Sequence, residues 1–135
     1  MKPTPEQKVQ IRLLSDGQLY DQAVTFVKQN DTVENKQMAG LLEFSRSWQE
    51  LLKFVRHQKG RDWQRKKAHY ADFYTQLEQQ LEQLRAKVKS EYGMVPHGLT
   101  KKETSRHTEY FAGLLAREFI QHLVAEMMWK EKGLS

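Results

Sequence analysis

The stretch from Lys53 to Tyr70, KFVRHQKGRDWQRKKAHY, holds the densest chemistry in the chain. Lys53, Arg56, Lys59, Arg61, Arg65, Lys66 and Lys67 are set against a single acid, Asp62, with Trp63 and Tyr70 among them and Trp48 just upstream. The whole chain carries a formal charge of +5, so its basic character is local rather than spread. Clustered cations neutralise phosphates and interleaved aromatics offer faces to bases, which suits a nucleic acid read through its backbone. Lys53, Arg56, Lys59, Arg61, Arg65, Lys66 and Lys67 are therefore the expected contact residues, with Trp63 as a base-stacking or subunit-contact aromatic. The competing explanation is a solvated helix corner whose charges serve solubility.

Other groups carry less. Glu118, His122 and Glu126 recur at i, i+4 and i+8, which would put three potential metal ligands on one helical face. A single such stripe, with no second helix contributing ligands, is an ordinary solvated face, so no metal is expected. His57 and His69 sit among the cations, and acid–base cleavage of RNA needs two titrating groups flanking one phosphate, a geometry that spacing cannot supply. The chain has no H-E-x-x-H, no Walker-type phosphate loop, no G-x-S-x-G and no G-x-G-x-x-G. No catalytic residue and no cofactor is expected, so the reading is of a protein that binds without catalysing.

The elements that must position the cluster are helical. A chain of 135 residues is long enough for one domain, spanning 1–135, to bury a real core. Cysteine is absent, which fits a reducing compartment. The start, MKPTPEQKVQ, lacks the apolar run of a secretory signal, and no apolar run nears the roughly 20 residues needed to span a bilayer. A cytoplasmic protein without membrane contact is expected. Its three prolines, at 3, 5 and 96, lie outside the periodic stretches.

Thr4 with Gln7 forms a capping box, and the first helix carries Val9, Leu13 and Leu14 inward before stopping near Asp16-Gly17. A second helix follows through Leu19, Ala23, Phe26 and Val27 to Asn30-Asp31. A third, capped by Thr32, runs unbroken through Met38, Leu41, Leu42, Ser45, Trp48 (a core residue), Leu51, Leu52 and Val55, and ends at Gly60 as C′. Gly40 within it either weakens it or admits a close neighbour. The fourth starts at Asp62 and runs to residue 92. Its heptad seam is Tyr70, Tyr74, Leu77, Leu81, Leu84 and Val88, with Glu78, Gln79, Gln80, Glu82 and Gln83 outside. At 1.5 Å per residue it would be about 46 Å long. Arg65, Lys66 and Lys67 would then lie in its first two turns, where the helix dipole disfavours cations, so an external anion accounts for them better than helix stability does. MVPHGL is a loop, and the Thr100–Glu103 capping box opens a fifth helix to about Lys132. That helix has a broad apolar face from Phe111 to Met128, and Trp129 is expected to pack in the core. The expected fold is an all-α, single-domain bundle of about five helices, two of them long.

Three stretches together, TVENKQMAGLLEFSRSW (32–48), HYADFYTQLEQQLEQLRAKV (69–88) and EYFAGLLAREFIQHLVAEMMW (109–129), make the chain resemble the small α-helical subunit of type III CRISPR effector complexes. The resemblance implies a non-catalytic subunit of an RNA-guided antiviral defence complex. Its copies would stack on one another and on other protein subunits, and its basic side chains would hold the RNA phosphate backbone. It adds Arg85, Lys87, Lys89, Lys101, Lys102 and Arg106 as secondary contacts. Two rivals stand beside it. One is a helical protein-interaction adaptor that uses the Tyr70–Val88 seam as a coiled coil. The other is a helical DNA-binding regulator with Gly60 at its turn.

Overall fold

In the computed structural model, which describes residues 1–133 and only the backbone of Lys66, the chain forms five helices and, among the described residues, no strand. The number agrees with the periodicity, but the division of the chain does not. Helix α1 spans 5–29 without a stop: Pro5–Leu14 is α-helical, Ser15–Leu19 forms a π-helical turn, and Tyr20–Gln29 resumes the α-helix. Its inward stripe is Gln7, Ile11, Leu14, Leu19, Ala23 and Phe26. The steps are 4, 3, 5, 4 and 3, and the step of five falls on the π turn. A constant period cannot cross such a step, which is why the stretch reads as two helices. The correction extends to the apolar face: Leu14 turns inward, but Val9 and Leu13 are 58% and 67% exposed.

The expected third helix is instead two, α2 (Asn35–Phe44) and α3 (Trp48–Lys59). Ser45 donates its hydroxyl to the Leu42 carbonyl at 2.8 Å, and the Ser47 hydroxyl caps α3 by accepting the Glu50 amide at 3.2 Å. Two serines thus offer the backbone local partners that compete with helix continuation. The break folds α3 back on α2, so that the Phe54 ring lies over Gly40 and stacks on Phe44 at 5.0 Å. A close approach at Gly40 is therefore what the glycine admits. Thr32 does not cap α2. Glu34 holds the N-cap position, and its backbone amide is satisfied by the Tyr70 hydroxyl at 2.8 Å.

Gly60 closes α3 at φ −84°, not in the left-handed conformation of a C′ glycine. Asp62 caps nothing: residues 62–64 carry no helix, Arg65–Lys67 form a 3-10 turn, and α4 runs His69–Ser90. At 22 residues α4 is about 33 Å long. Its seam, Tyr70, Tyr74, Leu77, Leu81, Leu84 and Val88, is fully buried inside the chain's own core. Gly93, at φ +58°, turns the chain out of α4 and buries Met94. Helix α5 (Lys101–Glu131) opens with the Thr100–Glu103 capping box and packs against all four other helices.

Helix α1 runs alongside α5 in the same direction, since Ser15 meets Glu118 and the Asn30 carbonyl meets Lys130. Helix α4 runs opposite to α1. Its first turn touches Thr32 and Glu34, and the carbonyls of Tyr92 and Met94 accept from Gln10 and Gln7. Phe26, Phe73 and Phe119 meet edge to face at the centre. Trp48 is in the core as expected, pressed against Gly113. Each fully buried large apolar side chain contributes about 1.5–3 kcal/mol. Tyr74, buried beside them, donates its hydroxyl to Gln37 at 2.6 Å, and burial pushes its ionisation up. Met127 is buried, but Met128 and Trp129 are 44% and 51% exposed, so Trp129 lies outside the core. Among the described residues no helix is long and apolar enough to cross a membrane.

Candidate nucleic-acid interface

The basic stretch lies where α3 ends, the chain turns, and α4 begins. Trp63 explains the turn. Its indole N–H donates to the Gln58 carbonyl at 2.7 Å, and its ring meets Tyr70 edge-on with centroids 4.9 Å apart. Residues 62–64 carry no helix and Gln64 is extended, so no helix continues through Asp62. The Arg61 guanidinium lies 4.4 Å over the Trp63 ring and bonds the Gln58 side chain at 3.0 Å. Trp63 is thus half-buried, with one face covered by a cation of its own chain. That face is not open to a stacking base.

Carboxylates from neighbouring helices meet three of the cations. Arg56 reaches Glu78 at 2.8 Å and Glu82 at 3.4 Å, and Lys59 reaches Glu78 at 2.6 Å. Lys67 reaches Glu34 at 3.1 Å. The two cations hold the Glu78 carboxyl below the usual carboxylate range, the Lys59 hydrogen bond chiefly and the Arg56 bond next. Lys53 and Arg65 are exposed and have no ion pair among the described residues. The Lys66 side chain lies outside the described residues. The Arg65–Lys67 3-10 turn leads through Ala68 directly into α4, so it still lies at the positive end of that helix, where the dipole disfavours cations, and Glu34 offsets this for Lys67. What remains is a corner whose cations are part structural and part unmatched.

Glu118 and His122 converge on Ser15, whose hydroxyl donates to Glu118 at 3.0 Å and lies 3.0 Å from the His122 ring nitrogen. Among the described residues no three His, Asp or Glu side chains gather as a metal cluster. His69 is committed to the Thr32 carbonyl at 3.0 Å, and His57 is exposed on α3.

A second cationic place emerges at the opposite end of α4. Arg85 and Lys89 from α4 and Lys101 from α5 line one groove with Thr104, Ser105 and Thr108. Sequence distance hides this grouping, because the 91–100 loop separates the two contributing stretches. The only signals in the sequence are like charges at 85 and 89 and at 101 and 102. Of the remaining secondary candidates, Lys87 faces Glu91 at 4.0 Å, Lys102 is exposed, and Arg106 borders a separate groove with Arg46 and Trp48. No protein-family model matches the chain, and no curated protein or solved structure matches it.

Proposed function

We propose that the protein is a non-catalytic, nucleic-acid-binding helical subunit of an RNA-guided antiviral defence complex of the type III CRISPR kind. It contacts single-stranded RNA through phosphates and packs against neighbouring subunits. The observation that carries this reading is the surplus of cations at the α3–α4 corner. After Glu34, Glu78 and Glu82 have taken Lys67, Arg56 and Lys59, the exposed Lys53, Arg61 and Arg65 meet no carboxylate among the described residues. Phosphate contacts of this type give binding that is independent of sequence and sensitive to salt. Subunit contact is supported by Met128 and Trp129, an apolar end patch left open on α5. The adaptor alternative draws no support from the Tyr70–Val88 seam, which is consumed inside the bundle.

A salt series of fluorescence anisotropy on labelled single-stranded RNA, single-stranded DNA and duplex DNA tests the reading. Binding that weakens steeply with salt and ignores sequence is expected. No binding at about 50 mM salt, or a lasting preference for one duplex sequence, overturns it.

A further inference from the structure

We infer that the groove between the C-terminal half of α4 and the first turns of α5 is a binding site for a phosphoryl anion. Its walls carry Arg85, Lys89 and Lys101, and its hydroxyls are those of Thr104, Ser105 and Thr108. The open groove has a volume of about 480 Å³, and among the described residues no carboxylate lines it. A groove of the same volume around Arg56 is lined by Glu78 and Glu82, which neutralise that cation. The contrast is chemical: one groove answers its own charge, and the other leaves three cations unanswered.

Folding does not account for the three together. Lys89 lies in the last turn of α4, where the helix dipole favours it. Lys101 lies in the first turn of α5, where the dipole opposes it. Arg85 and Lys89 are like charges one turn apart, an arrangement that costs an isolated helix a few tenths of a kcal/mol. Arg85 is also half-buried and, among the described residues, has neither an ion pair nor a hydrogen bond. Its guanidinium nitrogens stay open to solvent and unpartnered among the described residues, so an anion from outside can reach them. The hydroxyls of Thr104 and Ser105 make no hydrogen bond among the described residues, so both remain able to donate to phosphoryl oxygens. Thr108 turns its own hydroxyl onto the Thr104 carbonyl at 2.7 Å and shapes the wall.

The site stands on its own residues. It depends on the proposed function only for whether the phosphoryl group belongs to a nucleic-acid strand or to a small free ligand. The test is a titration of the labelled full chain, followed by amide NMR, with inorganic pyrophosphate and separately with oligouridylate. Saturable shifts at the amides of Lys89, Thr104 and Ser105 are expected with pyrophosphate. The variant Arg85→Gln/Lys89→Gln/Lys101→Gln is expected to bind at least tenfold more weakly, and Lys53→Gln/Arg65→Gln to bind pyrophosphate as the parent does. If oligouridylate moves the same amides, the source is a strand. If only pyrophosphate does, the groove takes a small phosphorylated ligand, and the site holds even where RNA binding fails. Absence of saturable shifts at these amides in the parent protein overturns the site, whatever the variants do. So does RNA binding that is lost in the corner variant while the groove amides stay still for both probes, an outcome that leaves the proposed function intact.

Discussion

The Lys59 ammonium sits 2.6 Å from Glu78, a carboxylate of the facing helix that Arg56 also reaches. One acid therefore holds two of the cations that make the stretch look like a nucleic-acid surface. Glu78 is a strut between α3 and α4 as much as an outer-face residue, and the corner is partly a structural clamp.

This clamp sets an acid limb in stability. The folded carboxyl titrates below its unfolded value, so its contribution is present above the unfolded value of about 4.3 and is lost as pH falls through the lower folded value. Thermal unfolding followed from neutral pH to about pH 2.5 should fall more steeply in the parent than in Glu78→Gln. Parallel curves would show that Glu78 is not coupled to folding.

Removing cations that hold nothing should separate binding from folding. In Lys53→Gln/Arg65→Gln the melting temperature should stay within a few degrees, because neither side chain has an ion pair among the described residues. The slope of log affinity for single-stranded RNA against log salt should shrink by about 1.4, at about 0.7 per lost phosphate contact. An unchanged slope would place the RNA elsewhere.

Trp63 should behave as a packing residue. Trp63→Ala loses the contact with Tyr70, the bond to Gln58 and the seat for Arg61, and should cost about 1–3 kcal/mol in denaturant unfolding, below the full cost of a core tryptophan. Trp63→Phe should recover part of it. A melting curve indistinguishable from the parent would return Trp63 to the role of a free aromatic.

Two helical glycines should respond differently to alanine. A Cβ at Gly113 would stand 3.0 Å from the Trp48 backbone nitrogen, and a backbone cannot swing away. At Gly40 it would meet the tip of the half-buried Phe54 ring at 2.7 Å, the far end of a side chain that can swing aside. Alanine gains about 1 kcal/mol of helix propensity at either place. Gly113→Ala should therefore lower stability, by about 1–2 kcal/mol after that gain, while Gly40→Ala should fall closer to neutral. Equal losses would mean that the Phe54 ring is locked.

Local signals were enough for much of the architecture. The Thr4–Gln7 and Thr100–Glu103 boxes cap their helices as written, because a capping box involves only residues three apart. The Tyr70–Val88 seam is buried throughout, because a regular period of apolar residues has one way to face a core. The two long helices and the all-helical class follow from the same regularity.

Elsewhere, contacts distant in sequence decided the outcome. The π turn at Ser15–Leu19 keeps α1 whole because Ser15 is anchored to Glu118 and His122, over 100 residues away. Tyr70 accepts the Glu34 amide at the start of α2 from another helix, and Trp63 pulls the chain out of the helix that Asp62 would start. The charges show this most clearly. Amino-acid order alone showed seven cations in one stretch and left a few more scattered near 85 and 101. Folding brought Glu34, Glu78 and Glu82 to the first group, and gathered Arg85, Lys89 and Lys101 around a groove that no acid lines among the described residues. Charge is carried by residues, but whether a charge is satisfied depends on distance in space, and that is settled only when the helices pack.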